Sequence, residues 1–199
     1  MRILILALSV CLYTYTLSAQ VGIATVVPSA QLELANDPLA PNYPLLELNP
    51  QIAPAGTAMG QLAVIGDQLY MYDGVRMKWL SLETCALQFG RSGGVDTQVL
   101  RYGGDVGTNN SGAQMPFDGT IVHVSAVANS TTSTKQFDIR VRDNTNVTQS
   151  TTSFNLAAGR FSKTDNNVNF SAGNYINVIG IGGTSVNDPT VTIWVKRRK

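Results

Sequence analysis

The chain has 199 residues with 14 basic and 13 acidic side chains, a formal net charge of +1, and only 14% charged residues. That balance excludes the basic field needed to hold nucleic acid, and a near-neutral surface favours association. One histidine and two cysteines exclude a metal centre built on several imidazoles and a dense disulfide framework.

Residues 1–19 read as an export signal. Arg2 gives a positive start, residues 3–13 an apolar run, and Ser18 and Ala19 the small residues of a signal-peptidase site. The mature chain is expected to start at Gln20. Tyr13, Thr14, Tyr15 and Thr16 interrupt the run well short of the about 20 apolar residues that a transmembrane helix needs, so no membrane anchor is expected. Val10 before Cys11, with little apolar sequence ahead of it, argues against lipid attachment. Cleavage removes Cys11 and leaves Cys85 alone, so packing or assembly must hold the fold. Cys85 is expected as a buried small hydrophobe, with pairing between chains left open.

Residues 28–55 are rich in proline and in short apolar runs, too broken for a long helix. They contain a faint echo, Leu32-Glu33-Leu34 and Leu46-Glu47-Leu48, each putting two leucines on one strand face. Strands this short cannot hide that face alone, so a partner is implied. Residues 61–65, 68–72 and 77–82 form the next pattern, a meander with turns at Gly66-Asp67 and Asp73-Gly74. The glycine-rich stretch 83–98 has little periodicity and reads as a linker. Beyond it, residues 120–128, 136–142 and 190–196 alternate apolar and polar positions, whereas 174–181 is apolar on both faces. Residues 129–134 and 144–153 read as Ser/Thr/Asn-rich loops. The fold class is therefore all-β: a short extended stalk and meander over 20–82, a linker over 83–98, and a jelly-roll-like antiparallel sandwich over 99–199.

Catalytic chemistry finds little to stand on. His123 is predicted beside Ile121 and Ser125 on one strand face, with no nucleophile or carboxylate to serve. Asp67, Asp73, Asp118 and Asp188 sit beside glycine or proline in turns, where a carboxylate caps its own backbone, and no loop has calcium spacing. No catalytic residue, metal ligand or cofactor is expected. The candidates for ligand binding are aromatic. Alternation puts Tyr70 and Tyr72 on one face, the hairpin brings Trp79 near them, and Trp194 lies opposite the face of Val191, Ile193 and Val195. Such rings either stack on sugars or form a packing face or subunit interface. Lys196-Arg197-Arg198-Lys199 reads as a solvated tail, with docking to anionic glycans as the functional alternative.

The run Gln20-Val21-Gly22-Ile23-Ala24-Thr25 followed by Pro28 and Leu32-Glu33-Leu34 resembles the start of secreted fibre-like proteins of Bacteroidota. The stretch Leu69-Tyr70-Met71-Tyr72-Asp73-Gly74 with Trp79 looks like their next hairpin, and residues 116–199 resemble the β-sandwich heads of phage tail fibres. The resemblance implies a homotrimer, exported to the cell surface or beyond with the periplasm also open. It implies non-enzymatic attachment through a head that binds a carbohydrate or other surface polymer. A purely structural subunit of an extracellular or envelope assembly is the alternative. An enzyme acting on surface polysaccharide would need acidic residues gathered between subunits.

Overall fold

The computed structural model describes residues 21–23, 32–34, 46–104, 108–129 and 134–199. They belong to two compact units, residues 1–49 and 50–199. The expected signal peptide and most of the expected stalk lie outside the described residues. In the first unit Val21–Ile23 (β1) and Leu32–Leu34 (β2) pair as a parallel ladder. The second half of the echo, Leu46-Glu47-Leu48, forms no strand. The described residues are all strand, turn and irregular chain, and contain no helix long and apolar enough to cross a membrane.

The second unit begins with the expected meander, Leu62–Ile65 (β3), Gln68–Asp73 (β4) and Lys78–Ser81 (β5). Gly66 turns the first hairpin at a φ of 66°, where a side chain would be strained. The second connection is longer than a two-residue Asp-Gly turn. Asp73 Oδ1 accepts from the backbone N–H of Val75 at 3.0 Å and of Arg76 at 2.9 Å, so its carboxylate organises the loop rather than the turn itself.

The rest is a two-layer antiparallel sandwich. Its strands are Cys85–Gly90 (β6), Gly94–Val95 (β7), Arg101–Tyr102 (β8), Ala113–Gln114 (β9), Gly119–Asn129 (β10), Lys135–Arg142 (β11), Thr148–Leu156 (β12), Arg160–Lys163 (β13), Val168–Phe170 (β14), Tyr175–Gly183 (β15) and Val186–Arg197 (β16). A seven-stranded sheet runs β13-β10-β16-β6-β8, with β14 on β10 and β7 on β16; a four-stranded sheet runs β12-β11-β15-β9. Inward residues of both sheets share one core: Ile121, Val124, Val191 and Ile193 from the first, Phe137, Ile139, Ile176 and Val178 from the second. That interdigitation of alternate residues is what makes two sheets a sandwich.

Three expectations change. Residues 83–98 are no linker, because β6 and β7 hydrogen-bond to β16 inside the seven-stranded sheet. Leu87 and Phe89 bury their side chains there, so two apolar residues at alternate positions suffice beneath a polar outer row. Residues 144–153 are only partly loop, since β12 starts at Thr148 and lies at a sheet edge, where hydroxyl side chains can face water. Finally, the pairing of β10 with β16 shifts between Ile121 and His123, leaving Val122 as an extra residue. This bulge resets the alternation, so Ile121 joins Val124 in the core while His123 faces outward with Ser125.

The meander is fastened to the sandwich at that bulge. The Arg76 guanidinium donates to Asp73 Oδ2 at 2.6 Å and to the carbonyls of Val122 at 3.0 Å, Thr164 at 2.8 Å and, through Nε, Asn166 at 2.6 Å. Lys78 adds bonds to Asn167 and Asn169. The chain end closes the other side: Arg197 N–H donates to Ser81 Oγ, Arg198 N–H to the Asp118 carbonyl and Lys199 N–H to the Trp79 carbonyl. The terminal basic residues thus extend β16 into the meander instead of trailing in solvent.

Replacing Arg76 with Ala strands the Asp73 carboxylate and three carbonyls, so a loss of about 3 kcal/mol is expected in urea unfolding, and Lys, a single point donor, should not restore it. A loss under about 1 kcal/mol would contradict the clamp. Burial acts to raise the Asp73 pKa, but the Arg76 N–H, its guanidinium and the Val75 N–H outweigh it and hold the carboxyl below its usual range. A depressed carboxylate stabilises the fold above its unfolded pKa of about 3.9, and that stability is lost as pH falls through the folded value. Stability should therefore drop below about pH 4, and Asp73→Asn should flatten that acid limb in a fluorescence-monitored titration.

Candidate functional site

The meander aromatics come together as the alternation requires, but they face inward. Tyr72 and Trp79 pair across β4 and β5 with ring centroids 5.4 Å apart, edge to face. Together with Ala63, Ile65 and Tyr70 they make a small core of their own, and Tyr70 is only 1% exposed. Residues 50–60 lie over this face. The Trp79 indole N–H donates to the Pro54 carbonyl at 2.9 Å, and a Cβ on Gly56 would come within 2.0 Å of the Tyr72 ring. Tyr70, Tyr72 and Trp79 therefore serve as packing, and the donor of Trp79 is already engaged. Burial pushes the Tyr70 phenol above its ordinary pKa while the nearby Arg197 charge works against that shift.

The opposite face of the meander is different. Leu62, Val64, Leu69 and Met71 point away from the aromatic core, and Leu62 and Leu69 remain 52% and 37% exposed. Met59, Val75, Met77 and Leu82 add exposed apolar side chains in the same module. Scattered apolar residues are ordinary on a protein surface, but a row of them on one sheet face marks a contact surface.

Trp194 is the fourth expected aromatic, and it does face outward. It lies on β16 directly across from His123 on β10, the two rings in edge-to-face contact with centroids 4.6 Å apart. The register arranges the outer face of the seven-stranded sheet in rows: His123, Trp194, Ala86; then Ser125, Thr192, Gln88, with Ser162 beyond; then Val127, Thr190, Gly90, with Arg160 and Arg101 at the two ends. Within these three rows no residue on the three central strands carries a carboxylate, ammonium or guanidinium; charge returns only at the ends of β16, with Asp188 before Thr190 and Lys196 after Trp194. Two adjoining shallow grooves of about 600 and 520 Å³ meet at Thr190 on this face. The four-stranded sheet contrasts with it: Asp138, Arg140 and Arg142 all share one outer face there, with Asp138 accepting from Ser153 at 2.7 Å.

The remaining candidates have local tasks. Asp118 accepts from the Ala172 N–H at 2.8 Å and Asp188 from the Gly93 N–H at 2.7 Å, so both tie down backbone distant in the chain instead of capping their own turns. Cys85 is not the buried hydrophobe that its residue type suggested: it stands exposed at the start of β6. Among the described residues no three His, Cys, Asp or Glu side chains gather as a metal site would need.

The uncharged face is the feature that reading one strand at a time passed over. Its signal was present: the polar positions of residues 190–194 and 123–127 are Thr, Trp, His and Ser, whereas those of 136–142 include Asp and two Arg. Comparing outward residues between strands would have found it.

No protein-family model matches the chain, and no curated protein matches it.

Proposed function

We propose that this is an exported, non-enzymatic attachment protein that assembles as a homotrimer and uses its sandwich as a head for a carbohydrate or other surface polymer. The observation that carries the reading is the uncharged centre of the outer face of the seven-stranded sheet, with Trp194 and His123 on it. Soluble surfaces ordinarily interleave charges over about a quarter to a third of their residues, while the centres of protein interfaces lose charge and gain aromatics. The four-stranded sheet of the same molecule follows the first rule and the seven-stranded sheet the second.

Magnitudes bear on how the copies meet. Three strands at about 4.8 Å spacing and about six residues of length give a face of about 300 Å², well under half of what one partner contributes to a standard interface. The apolar outer face of the meander supplies a second patch. A closed ring uses two different patches on each subunit, and this chain offers two. Three copies would then turn a weak single-site contact with a repetitive polymer into firm attachment through effective concentration.

Light scattering on the mature chain from Gln20 should return three times the monomer mass at micromolar concentration. Thr192→Arg, which puts a charge in the middle of the uncharged face, should yield monomer with an unchanged circular dichroism spectrum. A monomeric wild type, or a variant that still assembles, would overturn this reading. A glycan array probed with the trimer then separates attachment from a purely structural role.

A further inference from the structure

One cavity belongs to neither contact surface. It lies between the meander and the sandwich, encloses about 520 Å³, and is lined by Ile65, Asp67 and Tyr70 on one side and Phe117, Asp118 and Arg197 on the other. That volume is within the range of small-ligand sites and suits a short saccharide. The walls are chemically divided. Arg197 lays its guanidinium over the Phe117 ring, 4.9 Å from the centroid, which fixes the plane of the fork. Among the described residues no ion pair joins Arg197 to Asp67 or Asp118, although all three face the same cavity. Asp118 is held in place by the Ala172 N–H on one carboxylate oxygen, and Asp67 is exposed in the Gly66 turn at the rim.

We propose that this cleft binds an acidic saccharide, the sugar carboxylate meeting the Arg197 fork and the ring hydroxyls donating to Asp67 and Asp118. A planar guanidinium matches a carboxylate through two parallel hydrogen bonds, and carboxylates are acceptors well suited to hydroxyl donors. The apolar side of the ring has Ile65 to pack on. Arg198 and Lys199 also line the cavity, so its basic side chains outnumber its acidic ones and suit an anionic sugar, while a polyanion such as dextran sulfate lacks the free ring hydroxyls that would donate to the two aspartates. The inference rests on the carbohydrate reading above and gives it a place and a ligand class.

The test is calorimetric titration of the mature chain with a galacturonate trisaccharide, its neutral galactose counterpart and dextran sulfate. The uronate should bind about tenfold or more tightly than the neutral sugar, as expected for a charge-assisted pair. Arg197→Gln should abolish that difference, and Asp67→Asn should weaken both sugars. Amide and side-chain shifts of Tyr70 and Arg197 in the wild-type spectrum on adding uronate give a readout that needs no variant. Equal binding of the neutral sugar, tighter binding of dextran sulfate, or uronate binding untouched by Arg197→Gln would each overturn the cleft assignment and leave the carbohydrate reading standing. Binding of no sugar here, together with an empty glycan array, would overturn both.

Discussion

The arrangement of this molecule turns on one guanidinium. Arg76 leaves the meander and gives four of its five N–H donors to a carboxylate from its own loop and to three carbonyls of the sandwich. A cation this enclosed is tolerable only when paired and well hydrogen-bonded. The requirement explains two local oddities together. Asp73 sits at the end of a strand, where its carboxylate both shapes the loop that carries Arg76 and neutralises it. The β10 bulge inserts Val122, and it is the Val122 carbonyl that receives the guanidinium. The same extra residue takes Ile121 off the face of His123 and Trp194 and into the core. The fastening of the meander and the make-up of the outer sheet face therefore share one irregularity.

Much of the fold was legible because strand alternation has a simple physical cause, one wet face and one dry one. Residues 61–65, 68–72, 136–142 and 190–196 correspond closely to β3, β4, β11 and the middle of β16, and Phe137, Ile139 and Val141 are buried as their spacing requires. What escaped was whatever depends on a second strand. The stretch 83–98 shows little apolar alternation, yet β6 is held by its ladders to β16 and β8 and by the burial of Leu87 and Phe89. The bulge at Val122 has no signature in the residues around it, and it moved Ile121 from the face of His123 to the core. Thr148–Leu156 looked turn-prone because its hydroxyls can cap a loop as readily as they can face water from an edge strand.

The candidate site followed the same division. The grouping of Tyr70, Tyr72 and Trp79 was correct in geometry, since it follows from the period of a strand and one hairpin. Their burial was decided by residues 50–60, whose Pro54 carbonyl and Gly56 fit the aromatic face only once the chain has folded back. Trp194 keeps part of its ring exposed on the outer face, edge to face with His123. A residue's face can be read locally; what covers the face cannot.

The claim that this uncharged face meets another copy is tested most directly by photo-crosslinking. A benzophenone amino acid would stand in place of Thr192 on that face, or in place of Arg140 on the charged face of the other sheet. The account predicts chain-to-chain products from position 192 and none from position 140 at micromolar concentration. Products confined within one chain, or formed equally from both positions, would contradict it.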